Sequence, residues 1–138
     1  MPDVYNIPQM PGDFAGDHPV AAATNIGDGA IVALNAAGNA VQAATAITGH
    51  VIGKARGSVD NPGAIGDKTV RVERGVFSLA LDATNPPNKT HVGSIVGFTA
   101  PDTVSSVLGT CRGGILIGFD GQGRALVDLN VTTKTAGL

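Results

Sequence analysis

Residues 47–81 read ITGHVIGKARGSVDNPGAIGDKTVRVERGVFSLAL, and their alternation is that of β-structure. Val51, Gly53 and Ala55 alternate with His50, Ile52, Lys54 and Arg56, a period of two. Asp60, Asn61, Pro62 and Gly63 then place four turn-forming residues in succession. Alternation resumes at Thr69, with Val70 and Val72 opposed to Thr69, Arg71 and Glu73, and runs on through Phe77, Leu79 and Leu81. Between the two runs the apolar phase moves from even to odd residue numbers. One extra residue has to be absorbed near Arg74-Gly75, and glycine accepts the left-handed backbone of a bulge. A two-residue hairpin there is the rival, but arginine is a poor first residue for such a turn. The pattern predicts one kinked strand with its bulge at Gly75.

Outward from this stretch the chain reads as more sheet. Ala30 to Leu34, the turn Asn35-Ala36-Ala37-Gly38, and Asn39 to Ala43 form a hairpin signal. Ile115 to Phe119, Asp120-Gly121-Gln122-Gly123, and Arg124 to Val131 repeat it at the other end. Both loops have Asn or Asp, two residues, then Gly, which is what a four-residue hairpin loop requires. Ser94 to Phe98 and Thr103 to Val107 make a third hairpin, turning at Ala100-Pro101-Asp102. Asp82 to Thr90 is a loop, and Thr90 to Gly93 has room for one helical turn. The expected fold is all-β: a single small β-barrel or sandwich of about eight short strands.

Residues 1–28 do not alternate. They carry Pro2, Pro8, Pro11 and Pro19 together with Val4, Tyr5, Ile7, Met10 and Phe14. Prolines at this density forbid a helix and spoil a central strand, yet a mere linker has no use for five large apolar residues. One reading folds the segment back on its own barrel. The reading adopted is an extended N-terminal arm laid on a neighbouring subunit, with those five residues as its contacts. The division is then arm 1–28, all-β domain 29–131 and tail 132–138.

Composition narrows the function. The 138 residues include 20 glycines, about twice the usual ~7%, while charged residues make up 14% against a usual ~25%. Aromatics are 4% with no Trp, so the core has to be Val, Ile, Leu and Ala. A soluble monomer normally covers itself in charge; this chain points to a surface covered by other chains. The 43% apolar content is too high for a solvated coil. A net charge of −2 gives no basic footprint for nucleic acid or anionic membrane. One cysteine, Cys111, excludes an intrachain disulfide. The N-terminus lacks the regions of a signal peptide and no run suits a membrane helix, so the chain reads as made and kept in soluble form.

Catalytic patterns are sparse. His18, His50 and His91 have no metal-site spacing, and Cys111 with His91 could pair only in space. Asp60 and Asp67 flank a loop but lack the alternate-residue order of a calcium loop, so turn chemistry explains them better. Lys54, Arg56, Lys68, Arg71 and Arg74 cluster in the central strands, either as a solvated face balanced by Asp67 and Glu73 or as a contact for an acidic partner. No catalytic residue, cofactor or metal is expected.

Four pieces taken in order carry a resemblance: GAIVALNAAGNAV (29–41), GHVIGKARGSVDNPGAIGDKTVRVERGVFSLA (49–80), HVGSIVGFTAPDTVS (91–105) and GGILIGFDGQGRALVDL (113–129). Together they resemble the small capsid cement, or head decoration, proteins of tailed bacteriophages, most specifically from Val59-Asp60-Asn61 to Phe77. The chain departs from that pattern at Lys54 and Arg56, where acidic residues are frequent, and in its Pro-containing N-terminal segment. The resemblance implies an all-β virion protein, made in the host cytoplasm, that binds the outside of the assembled capsid. Its partners would be the major capsid protein and itself, as a small symmetric oligomer, and the sparse charge makes a homotrimer the expected state. The residue pattern itself assigns Asp60, Asn61, Pro62, Gly63 and Gly75 structural turn and bulge roles. Two other classes share the size and strand content. A trimeric dUTPase-like hydrolase needs a Gly-rich C-terminal phosphate loop, which TTKTAGL (132–138) does not supply. A carbohydrate-binding or adhesion module needs aromatic platforms, for which Tyr5 and four Phe are little material.

Overall fold

The computed structural model describes residues 14–130. They form twelve strands: β1 Phe14–Pro19, β2 Thr24–Ile26, β3 Ile31–Asn35, β4 Ala40–Gln42, β5 Gly49–Arg56, β6 Val59–Asn61, β7 Thr69–Glu73, β8 Val76–Leu81, β9 Ile95–Ala100, β10 Thr103–Ser105, β11 Cys111–Phe119 and β12 Ala125–Asp128. One 3-10 turn, Lys89–His91, precedes β9. The all-β expectation holds. The count of eight was low because several strands have three residues, too short to show a period.

Strands β9, β10, β8, β12 and β11 pair in that order, and β11 returns to β9, which closes a five-stranded barrel. At its other end β11 runs parallel to β5, and from there the sheet continues through β7 to β1. Strand β3 pairs with both β4 and β5, while β2 and β6 form a separate ribbon. The fold is therefore a barrel with a sheet extension.

This arrangement explains the phase change in residues 69–81. Val70 and Val72 are buried in one core with Val20, Ile26 and Ile52. Leu79, with Phe77 and Leu81 against it, belongs to the other core, with Val96, Phe98 and Leu116. The even run faces the extension and the odd run faces the barrel. The expected single kinked strand is corrected to two: β7 pairs with β1 and β5, whereas β8 pairs with β12 and β10. Arg74-Gly75 is the passage between them. Gly75 has φ +157°, near the extended edge of the positive range, and its carbonyl accepts the Leu129 N–H at 2.8 Å.

A glycine-marked bulge does occur, in β5. Val32 pairs with Gly53 and Ala33 with Val51, which leaves Ile52 as the extra residue of β5. Val51 then faces the barrel core, and Ile52 and Ala55 face the other. The expected single face of Val51, Gly53 and Ala55 is thus broken. β3 likewise sends Ile31 and Ala33 to one core and Val32 to the other. Strands buried on both faces read as apolar runs rather than as alternation.

The expected hairpins β3–β4, β9–β10 and β11–β12 are all present. Two of them share a loop geometry. Asn35 Oδ1 accepts the N–H groups of Ala37 and Asn39, both at 3.0 Å. Asp120 Oδ1 accepts those of Gln122 at 2.9 Å and Arg124 at 3.0 Å. Gly38 and Gly123 follow at φ +87° and +78°. The likeness of the two hairpins is thereby accounted for by loop chemistry.

Asp120 Oδ2 also accepts the Ser78 hydroxyl at 2.7 Å, and these bonds hold its carboxyl below the usual Asp value, Ser78 contributing most. A depressed folded value means that the contribution is present above the unfolded pKa and is lost as pH falls through the folded one. We expect a small loss of stability below about pH 4 that Asp120→Asn, which imitates Asn35, does not share. Acid titration of the melting temperature checks this, and parallel curves for the two proteins would refute it.

The proposed arm, 1–28, is corrected in its second half. Strand β1 pairs with β7 at the sheet edge, where Pro19 is tolerated, and Val20 and Ile26 are fully buried. Residues 14–28 belong to the domain. Val4, Tyr5, Ile7 and Met10 lie outside the described residues.

Candidate functional site

The basic cluster of the central strands is largely occupied within the chain. Arg56 Nη1 meets Glu73 Oε1 at 2.6 Å, and Arg71 Nε meets Asp17 Oδ1 at 3.3 Å. The Arg71 guanidinium also lies 4.9 Å from the centre of the Phe14 ring, and Lys54 Nζ lies 5.4 Å from that of Phe77. Arg74 Nη2 donates to the Phe14 carbonyl at 3.3 Å. Phe14, expected as a subunit contact, is therefore a strand residue packed under Arg71. Exposed pairs of this kind contribute at most about 1 kcal/mol. Arg56 and Arg71 nonetheless stay 68% and 54% exposed, and Lys68 is exposed as well, so the cluster is a solvated face whose charge Glu73 and Asp17 partly balance.

The Asp60–Gly63 stretch does more than turn the chain. Asp60 and Asn61 end β6 and pair with Asn25 and Thr24, so the turn begins only at Pro62. Asn61 is 1% exposed. Its Nδ2 donates to the carbonyls of Val20 at 3.2 Å, Ala21 at 3.1 Å and Ala64 at 3.0 Å, and its Oδ1 accepts the Gly63 N–H at 3.2 Å. Asp67 Oδ2 accepts the Ala64 N–H at 3.0 Å, a turn bond, while Asp60 is exposed. Among the described residues no three His, Cys, Asp or Glu side chains gather as a metal site.

Cys111 and His91 are not brought together. Cys111 is buried at the start of β11, and burial pushes its thiol up. It lines a cavity of about 190 Å³ with Phe98, Leu108 and Asn85. His91 lines a different, open groove with Ile95 and Leu108, and its Nδ1 accepts the Asn88 N–H at 2.9 Å. A raised thiol without a nearby base is a poor nucleophile.

The feature that sequence reasoning missed is on the outside of the barrel. Ile95 pairs with Ile115, Ile115 with Asp128, and Asp128 with Val76, so four side chains stand in one row across β9, β11, β12 and β8. Directly paired residues point to the same face of a sheet. Val76 is 48% exposed, Ile95 44% and Ile115 37%, whereas Val96, Leu116 and Val127 behind them are buried. Ile117, skipped by the β11–β12 pairing, adds a fourth apolar side chain at 47%. The signal was Ile-Leu-Ile at 115–117: apolar residues on both faces of a strand that needs only one. No family model, curated protein or solved structure among those compared matches the chain.

Proposed function

We propose that the chain is a structural virion protein of a tailed bacteriophage that docks on the exterior of the assembled capsid and ties neighbouring major capsid subunits together. The observation that carries this reading is the aliphatic row Val76–Ile95–Ile115 on the outer barrel wall, in a chain with few charges. A solvated monomer gains nothing from such a row, whereas a subunit covered by a shell does. The ordered resemblance over residues 29–129 supports the same reading. The proposed state is a homotrimer, with Val4, Tyr5, Ile7 and Met10 adding contacts on the shell.

The physics is linkage. A ligand that binds only the assembled state stabilises it by roughly 2.7 kcal/mol per site at a hundred times its dissociation constant. Repeated over a shell and strengthened by several attachments per oligomer, modest contacts resist the pressure of packed DNA. The test heats or osmotically shocks three kinds of particle while DNA release is followed: bare, carrying the full chain, and carrying a chain without residues 1–13, which spares β1. Full-length protein is expected to delay release. No delay would reject the function, and equal protection by the shortened chain would remove only the role given to residues 1–13.

A further inference from the structure

We infer that the outer barrel wall bearing Val76, Ile95, Ile115 and Ile117 is the face that docks on the shell, and that the shell subunit meets it with an apolar surface carrying one lysine or arginine opposite Asp128. This rests on the capsid-docking reading and adds the partner's chemistry to it.

Asp128 is the one charged residue of the row, held between Ile115 and Val76 by the strand register. Its Oδ1 accepts the Asn130 N–H at 2.8 Å, and among the described residues it forms no ion pair. In water that costs nothing. Under an apolar partner the carboxylate is stripped of solvent, and a covered charge without a counter-charge opposes the contact. A second copy of the same wall is a poor occupant. About a twofold axis through the row, Asp128 would face itself or an aliphatic side chain, because the row holds no cation. Size argues the same way. Four strands at about 4.8 Å spacing make the row roughly 14 Å wide, and two to three residues along the strands give it an area on the order of 100 Å², well short of the roughly 800 Å² per partner of a stable dimer. It suits one attachment among many. A shell surface supplies both the repetition and a chain of different sequence to bear the cation.

The experiment mixes bare capsids of the phage that encodes the chain with wild type, Ile95→Ser/Ile115→Ser, Asp128→Asn, Ile65→Ser and the chain without residues 1–13, and measures the bound fraction by sedimentation at low and high salt. Melting curves confirm folding, and single Val76→Ser and Ile115→Ser variants replace the double one if it melts early. Light scattering gives each solution mass. Wild type is expected to bind, the double variant roughly tenfold or more weakly, and Asp128→Asn weakly and with a flatter salt dependence. Ile65 is 57% exposed in the loop after β6, and its variant should bind as wild type. Failure of wild type to bind would reject the capsid reading and this inference with it. Equal binding by wild type and the wall variants would overturn the inference alone. A drop in solution mass in those variants would make a second copy the occupant, and tighter binding after deletion of residues 1–13 would give the wall to that segment. Either result overturns the proposal. Unchanged affinity and salt dependence in Asp128→Asn would remove the cation.

Discussion

Gly97→Ala will destabilise the fold by about 3 kcal/mol, lowering the melting temperature by roughly 10 °C. Gly97 sits in β9, paired with Ser105 on one side and Arg112 on the other, where residues 107–108 cross over it. A Cβ there would lie 2.6 Å from the Leu108 carbonyl oxygen and closer still to that of Val107. Both obstacles are backbone, so no rotamer change relieves them. The strand has to move away from β10 or β11, and both are walls of the closed barrel. Gly118, in β11, has nothing within 4 Å of the corresponding position. Gly118→Ala is the control and should stay within about 0.5 kcal/mol of wild type. Urea unfolding of the two variants side by side makes the test. Coincident midpoints would show that the crossing at Gly97 yields freely.

The same region shows what could be read from sequence and what could not. Hairpin β11–β12 was legible because Asp120 and Gly123 punctuate it locally, and a turn is a local event. The all-β class was legible from the alternation in residues 69–81. The meaning of the phase change there was not. A bulge and a switch between two cores shift the alternation identically, and only the partners of β7 and β8 distinguish them. Strand β1 was hidden because proline density argues against a central strand, while an edge strand escapes that argument. The outer wall was hidden for a related reason. Ile95, Ile115 and Val76 are 19 to 39 residues apart in sequence, and a row across a sheet leaves no periodic trace in the chain. Phe14 was singled out as an arm residue for its apolarity, but apolarity alone does not say whether the cover is Arg71 of the same chain or another protein.

Asn61→Asp should be the most damaging single-atom change in the domain, costing about 3–5 kcal/mol at neutral pH. The substitution keeps the shape and replaces an amide that donates with a carboxylate that only accepts. Three carbonyl oxygens, those of Val20, Ala21 and Ala64, point at the position of Nδ2. The site is closed to water at 1% exposure. These bonds tie β6 and the loop after it to the residues that follow β1, where the Val20 carbonyl also accepts the Gly66 N–H at 3.1 Å. A carboxylate facing three carbonyls is repelled and desolvated together, so its proton is held more tightly than in the unfolded chain. The sign follows from that. A folded pKa raised above the unfolded one gives stability that is fully present below the unfolded pKa and is lost as pH rises through the folded one. The protonated acid can still donate to one of the three carbonyls. The deficit relative to wild type should therefore be smallest in acid, near the ordinary Asp range of about pH 4, and grow towards neutrality. Asn61→Ala, which removes the donor without adding charge, should be less damaging at neutral pH and show no such dependence. Chemical denaturation of the three proteins across that pH range measures both quantities. A constant deficit for Asn61→Asp would mean that the new carboxylate had turned out to solvent, and that β6 is held by its pairing with β2 rather than by the buried amide.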